Sequence, residues 1–231
     1  MKKKLFLIAL CICLAAAVAC GSLAYFTGSD SKTNKFMTAA YDPGDSEPDP
    51  DDIFSVQVVE ESKKDPSNPK SVEGTKNENG GLDYKNLLPG SEAAKKVTVK
   101  NTGEYGQYVR VKVTVTKAAA WKAFFGDVNL AEKLCDINKT DWELAATTPN
   151  TDDDLVVYTY NYSKSGVGTV LAKDTPTSAL FTKVTIPSED FDAEDFVEVD
   201  GFAVTVLAEA IQSDYTGTIT QAFKAFDDQN K

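Results

Sequence analysis

Residues 109–116 read Val-Arg-Val-Lys-Val-Thr-Val-Thr, with Val109, Val111, Val113 and Val115 alternating against Arg110, Lys112, Thr114 and Thr116. Successive side chains of an extended strand point to opposite faces, so this period of two makes one face apolar and the other polar. The β-branched valines also disfavour a helix, where their χ1 freedom is lost against the preceding turn. Such a strand needs a second layer over its apolar face. Val97 and Val99, set against Thr98 and Lys100, repeat the alternation a little upstream.

Further strand signals lie at Ile53–Val59, Asp141–Ala145, Leu155–Tyr162, Val170–Ala172, Leu180–Ile186 and Phe202–Ala210. Ala118–Phe125 and Asn129–Cys135 instead read as short helices, anchored by Trp121, Phe124, Leu130 and Leu134 and expected to cap one end of the strands. Residues 61–86 are polar, with Pro66, Pro69 and Asn79-Gly80-Gly81, and are expected to form a long loop or hairpin insertion. About eight strands separated by Gly, Pro, Asn and Asp turns predict an all-β fold, a jelly-roll-like β-sandwich with short helical insertions. No internal repeat divides residues 53–231, which are expected to form one domain.

The N-terminus carries a different signal. Lys2, Lys3 and Lys4 precede an apolar run from Leu5 to Val18 and a small-x-small site at Ser22-Leu23-Ala24, the pattern of a secretory signal peptide over residues 1–24. Cleavage between Ala24 and Tyr25 would leave 231 − 24 = 207 residues. Two alternatives stay open: retention of the apolar run as a membrane anchor, for which it is short, and acylation of Cys20 in Ala17-Val18-Ala19-Cys20.

Residues 22–39 continue as Ser-Leu-Ala-Tyr-Phe-Thr-Gly-Ser-Asp-Ser-Lys-Thr-Asn-Lys-Phe-Met-Thr-Ala. With the aromatic pair Tyr25-Phe26, the polar stretch and Asn34-Lys35-Phe36, this segment resembles the start of the TasA/camelysin family. Residues 86–116, holding the turn Leu88-Pro89-Gly90, the turn Asn101-Thr102-Gly103 and Tyr108-Val109-Arg110-Val111, are also similar to that family, as is the closing segment 208–223. The resemblance implies export by a Gram-positive bacterium, processing by a SipW-type signal peptidase, a jelly-roll fold and a place in extracellular biofilm fibres. It does not extend over residues 117–200.

Charge and missing residue types narrow the chemistry. The chain has 24 basic and 35 acidic residues, and removal of residues 1–24 takes three lysines and no acid, leaving 21 − 35 = −14. That balance argues against nucleic acid or an anionic membrane as partner. There is no histidine, so a Ser-His-Asp triad, a Cys-His pair and an HExxH zinc site are excluded as usually built. The protease activity described for one member of the family is therefore not expected here. A carboxylate-only mechanism stays chemically open, but no pair of acids stands out by spacing. No catalytic residue, cofactor site or metal site is expected, and the aspartates of 42–52 lack the EF-hand order of ligands, glycine and closing glutamate. With Cys11, Cys13 and Cys20 in the signal segment, Cys135 is left alone and is expected to be a small buried hydrophobe.

These features predict a secreted, non-enzymatic structural protein of the extracellular matrix or cell surface. Residues 42–52, Asp-Pro-Gly-Asp-Ser-Glu-Pro-Asp-Pro-Asp-Asp, form an acidic linker by composition. The segment before it, with Tyr25, Phe26 and Phe36, is expected to add as a strand to the open sheet edge of a neighbouring copy or a related matrix protein. The alternative is a surface-attached glycan- or protein-binding module, in which Tyr158, Tyr160 and Tyr162 present a stacking platform on one strand face. Ordinary cross-strand packing competes with that platform as an explanation of the tyrosines.

Overall fold

The computed structural model describes residues 27–32 (as backbone), 55–76, 81–164, 167–213 and 217–229. The signal segment, the cleavage pair Ala24 and Tyr25, Phe26, Phe36 and the acidic linker 42–52 lie outside the described residues.

The fold is mainly β, with two principal sheets, predominantly antiparallel, and a few short helices. The larger sheet runs in the order β1 (Thr27–Lys32), β12 (Val204–Gln212), β7 (Gln107–Thr116), β9 (Leu155–Lys164) and β10 (Val167–Gly168), with β8 (Trp142–Asn150) also paired to β9. The second sheet runs β11 (Phe181–Thr185), β6 (Glu92–Asn101), β2 (Val56–Glu61), with β3 (Ser71–Glu73) parallel to β6. Two short strands, β4 (Thr75–Lys76) and β5 (Leu82–Asp83), pair with each other. The expected loop at 61–86 thus carries β3 to β5.

Both sheets feed one core. Val109, Val111, Val113 and Val115 of β7 join Val56, Val58, Val97 and Val99 of the second sheet and Val204, Val206, Ala208 and Ala210 of β12. Each such valine, wholly withdrawn from water, contributes about 1.5–3 kcal/mol. The opposite face of β7 is not uniformly wet as the alternation predicts, since Arg110 is buried. The covering element is a C-terminal helix.

Four helices lie among the described residues. α1 (Ala118–Phe125) has no side-chain cap of its own, and the N–H of Ala119 donates instead to Asp154 Oδ1 at 2.7 Å. It ends at Gly126, whose φ of 80° is accessible to glycine at little cost. α2 (Leu130–Leu134) is capped by Asn129, which accepts from the N–H of Glu132 at 3.2 Å. α3 (Ala193–Glu198) starts with a capping box between Asp192 and Asp195. α4 (Ile219–Gln229) begins at Thr218, whose N–H donates to Gln221 Oε1 at 3.0 Å while its hydroxyl accepts from the Gln221 N–H at 3.3 Å. Trp121 of α1 packs against Phe125, Phe191 and Phe202, with ring centroids 5.1–5.8 Å apart.

The segment Val170–Ala172, expected as a strand, makes only an isolated bridge from Leu171 to Gln107. It is too short to form a ladder. β8 continues past the expected Ala145 to Asn150 because its partner β9 is long enough to pair with all of it.

Candidate functional site

The β12 edge is the feature on which an assembly reading bears most directly. β12 pairs over its whole length with β7, from Val204 opposite Val115 to Gln212 opposite Gln107. Its other edge carries β1 in antiparallel register, from Thr27 opposite Ile211 to Lys32 opposite Val206. The paired residues Thr-Gly-Ser-Asp-Ser-Lys have little strand propensity. They are held by the backbone ladder, and β1 is therefore an added strand at the end of the sheet order.

The outer face of β12 is fixed from behind. Arg110 donates from Nε to Glu209 at 2.5 Å and from Nη1 and Nη2 to the two carboxylate oxygens of Asp227 at 2.9 and 2.5 Å. Lys112 donates to the other oxygen of Glu209 at 2.7 Å. The guanidinium also lies over Phe223 at 4.5 Å and Phe226 at 5.2 Å from the ring centroids. Burial alone would pull the Arg110 pKa down, but Asp227 and Glu209 outweigh it and the net shift is upward. This clamp seats α4, with Ile219, Ala222, Phe223 and Phe226, on Ile211 and Tyr108.

The tyrosine platform is corrected by burial. Tyr158, Tyr160 and Tyr162 are 2%, 1% and 2% exposed and belong to the core. The Tyr158 hydroxyl accepts from the Leu130 N–H at 2.9 Å, that of Tyr160 from Asn129 Nδ2 at 3.0 Å, and that of Tyr162 from the Ser178 N–H at 3.3 Å. Loss of hydration pushes the Tyr158 and Tyr160 phenols upward. A sugar has no face of these rings to stack on. Cys135 is free and buried, as expected, with burial raising its thiol to about 12.

An open groove of about 480 Å³ lies nearby, lined by Glu132, Lys139, Trp142, Glu143, Tyr160 and Ser163, among others. Glu132 is held there from both oxygens, by Lys139 at Oε2 and by Asn129 Nδ2 at Oε1 at 3.1 Å, and Asn129 Nδ2 also donates to Tyr160, while the buried Ser163 hydroxyl makes no hydrogen bond among the described residues. No nucleophile is paired with a base there.

Sequence reasoning placed the assembly residues at Tyr25, Phe26 and Phe36, which flank the paired strand and lie outside the described residues. It missed the Arg110 clamp. The available signal was Phe223 and Phe226, three apart in sequence, a spacing that puts both on one helix face. Comparison of the chain with protein families, with curated proteins and with solved structures gives no match.

Proposed function

We propose that this chain is a secreted structural subunit of an extracellular biofilm matrix fibre, assembling by strand addition through its N-terminal segment. In this reading the two sheets are the layers of a jelly-roll-like sandwich, and the polymer grows by self-association of the copies released by a SipW-type signal peptidase. The resemblance over residues 22–39, 86–116 and 208–223 supplies the family expectation.

The observation that carries the reading is β1 lying as the terminal strand of the larger sheet, paired to β12. Every one of its ladder contacts is to backbone that a neighbour's residues 27–32 would meet in the same register. Residues 33–55 separate it from β2, so exchange between copies leaves each domain's remaining strands where they are. No catalytic group is assigned.

The test is electron microscopy of a chain beginning at Tyr25 beside one beginning at Asp52, each taken up to millimolar concentration. Filaments only from the longer chain are expected. Dispersed particles from both would overturn self-assembly and leave a surface-attached binding module as the better reading, with its contact surface elsewhere than the three tyrosines.

A further inference from the structure

We infer that Lys95 and Glu60 join in an intramolecular amide that forms after folding and ties strand β2 to strand β6. The two side chains are 3% and 4% exposed, with Nζ and Oε2 3.2 Å apart. In the antiparallel register Glu60 stands opposite Val97 and Glu61 opposite Lys96, so Lys95 is the diagonal neighbour of Glu60 on the same face. That face is the core face, shared with Val58, Ala93, Val97 and Val99. Lys95 Nζ also donates to the carbonyl of Val204 on β12 at 3.0 Å, which fixes it between the two sheets.

An ammonium and a carboxylate taken this far from water lose most of their hydration, and the Coulomb gain does not reliably compensate. Passing one proton from Nζ to Oε2 removes both charges. The products are a neutral amine and a neutral acid, the nucleophile and electrophile of amide formation, already held in contact. The Nζ lone pair then attacks Glu60 Cδ. A C–N bond forms, the C–O bond to the hydroxyl breaks, and the hydroxyl leaves with a proton from Nζ as one water. No oxidant, reductant or cofactor enters the balance.

The placement gives the bond a use, and this one consequence rests on the assembly reading. Among the described residues β2 is the next strand after β1, across residues 33–55, so tension on a donated N-terminal segment reaches β2 first. β6 is the strand to which β2, β3 and β11 all pair. An amide between the two stops β2 from being peeled away.

The experiment is the intact mass of the chain beginning at Tyr25, purified folded and then denatured, with a peptide digest. The expected mass is one water below that of the sequence, with one branched peptide joining the segments that contain Glu60 and Lys95. The double variant Glu60→Leu with Lys95→Met is expected to fold, since an apolar pair replaces a buried ion pair at little cost, and to show its full sequence mass. A full mass and separate peptides from the folded wild-type chain after prolonged incubation would leave an ion pair only and overturn the inference. Loss of water in the double variant as well would place the modification elsewhere and overturn it equally. Neither result bears on filament formation, so this inference and the assembly reading fail separately.

Discussion

Replacing Arg110 with alanine should detach helix α4 while the sheets stay folded. The guanidinium is 5% exposed and makes three charge-assisted hydrogen bonds, one to Glu209 and two to Asp227, besides covering Phe223 and Phe226. Removing one partner of a buried ion pair costs about 3–5 kcal/mol. Two facts put Arg110 at the lower end: Glu209 keeps Lys112, and the Asp227 side chain is half exposed and regains water. About 3 kcal/mol, or roughly a hundredfold shift in an opening equilibrium, is therefore expected. Arg110→Lys keeps the charge but not the planar fork, and should lose less than Arg110→Ala while still loosening the helix. Hydrogen exchange read by mass spectrometry resolves the helix from the sheets. Exchange of residues 219–229 should accelerate by two decades in Arg110→Ala while β7 and β9 stay protected. Unchanged exchange in α4, or loss of protection everywhere at once, would refute the view that this cluster is what seats the helix.

Three smaller predictions follow from local geometry. A Cβ at Gly168 would stand 2.7 Å from Ile219 Cβ, so Gly168→Ala should push α4 outward and cost about 1–3 kcal/mol in urea unfolding. Burial holds the Cys135 thiol near 12, so in the chain beginning at Tyr25, where Cys135 is the one thiol left, a thiol reagent at pH 8 should label the native protein very slowly and label it fully in denaturant. Tyr84 is raised by burial from an ordinary 10.0 to about 12, so the stability it contributes is complete below pH 10 and is lost as pH rises through 12. Tyr84→Phe, compared with wild type in urea unfolding at pH 9 and pH 11.5, should show less of that alkaline decline.

How much of this was legible in the sequence depended on whether the deciding partner was near in the chain. β7 and β12 carry their own alternation, and the core face could be read from Val109–Val115 alone. β8 beyond the expected Ala145 is exposed on both faces, so no burial pattern marks it, and only pairing with β9 extends the strand to Asn150. β1 is the extreme case: its glycine, serines and aspartate give no strand signal, and the register comes wholly from β12. Tyr158, Tyr160 and Tyr162 were legible as one strand face. What covers that face is α2 and the segment around Ser178, distant in sequence, so the choice between platform and core was not. Arg110 reads as a solvent-facing charge until α4, more than a hundred residues on, is placed over it.

Under the proposed assembly, the strand on β12 also sets the conditions under which fibres should appear. Within one chain β1 is covalently joined to the body, and such joining presents it to its own edge at an effective concentration on the order of millimolar. Exchange with a neighbour replaces one ladder by an identical ladder, so the pairing itself contributes no net driving force. Strand exchange alone therefore predicts filaments only near millimolar protein, in light scattering or electron microscopy of a dilution series. Filaments at micromolar concentration would require about three decades, or roughly 4 kcal/mol, from contacts between subunit bodies beyond the ladder. A chain beginning at Asp52 removes the competition: its bare β12 edge should take up a synthetic peptide of residues 25–41, and the full-length chain should take up far less. Equal uptake by both chains would mean that β1 does not guard this edge, and would remove the physical basis for assembly through it.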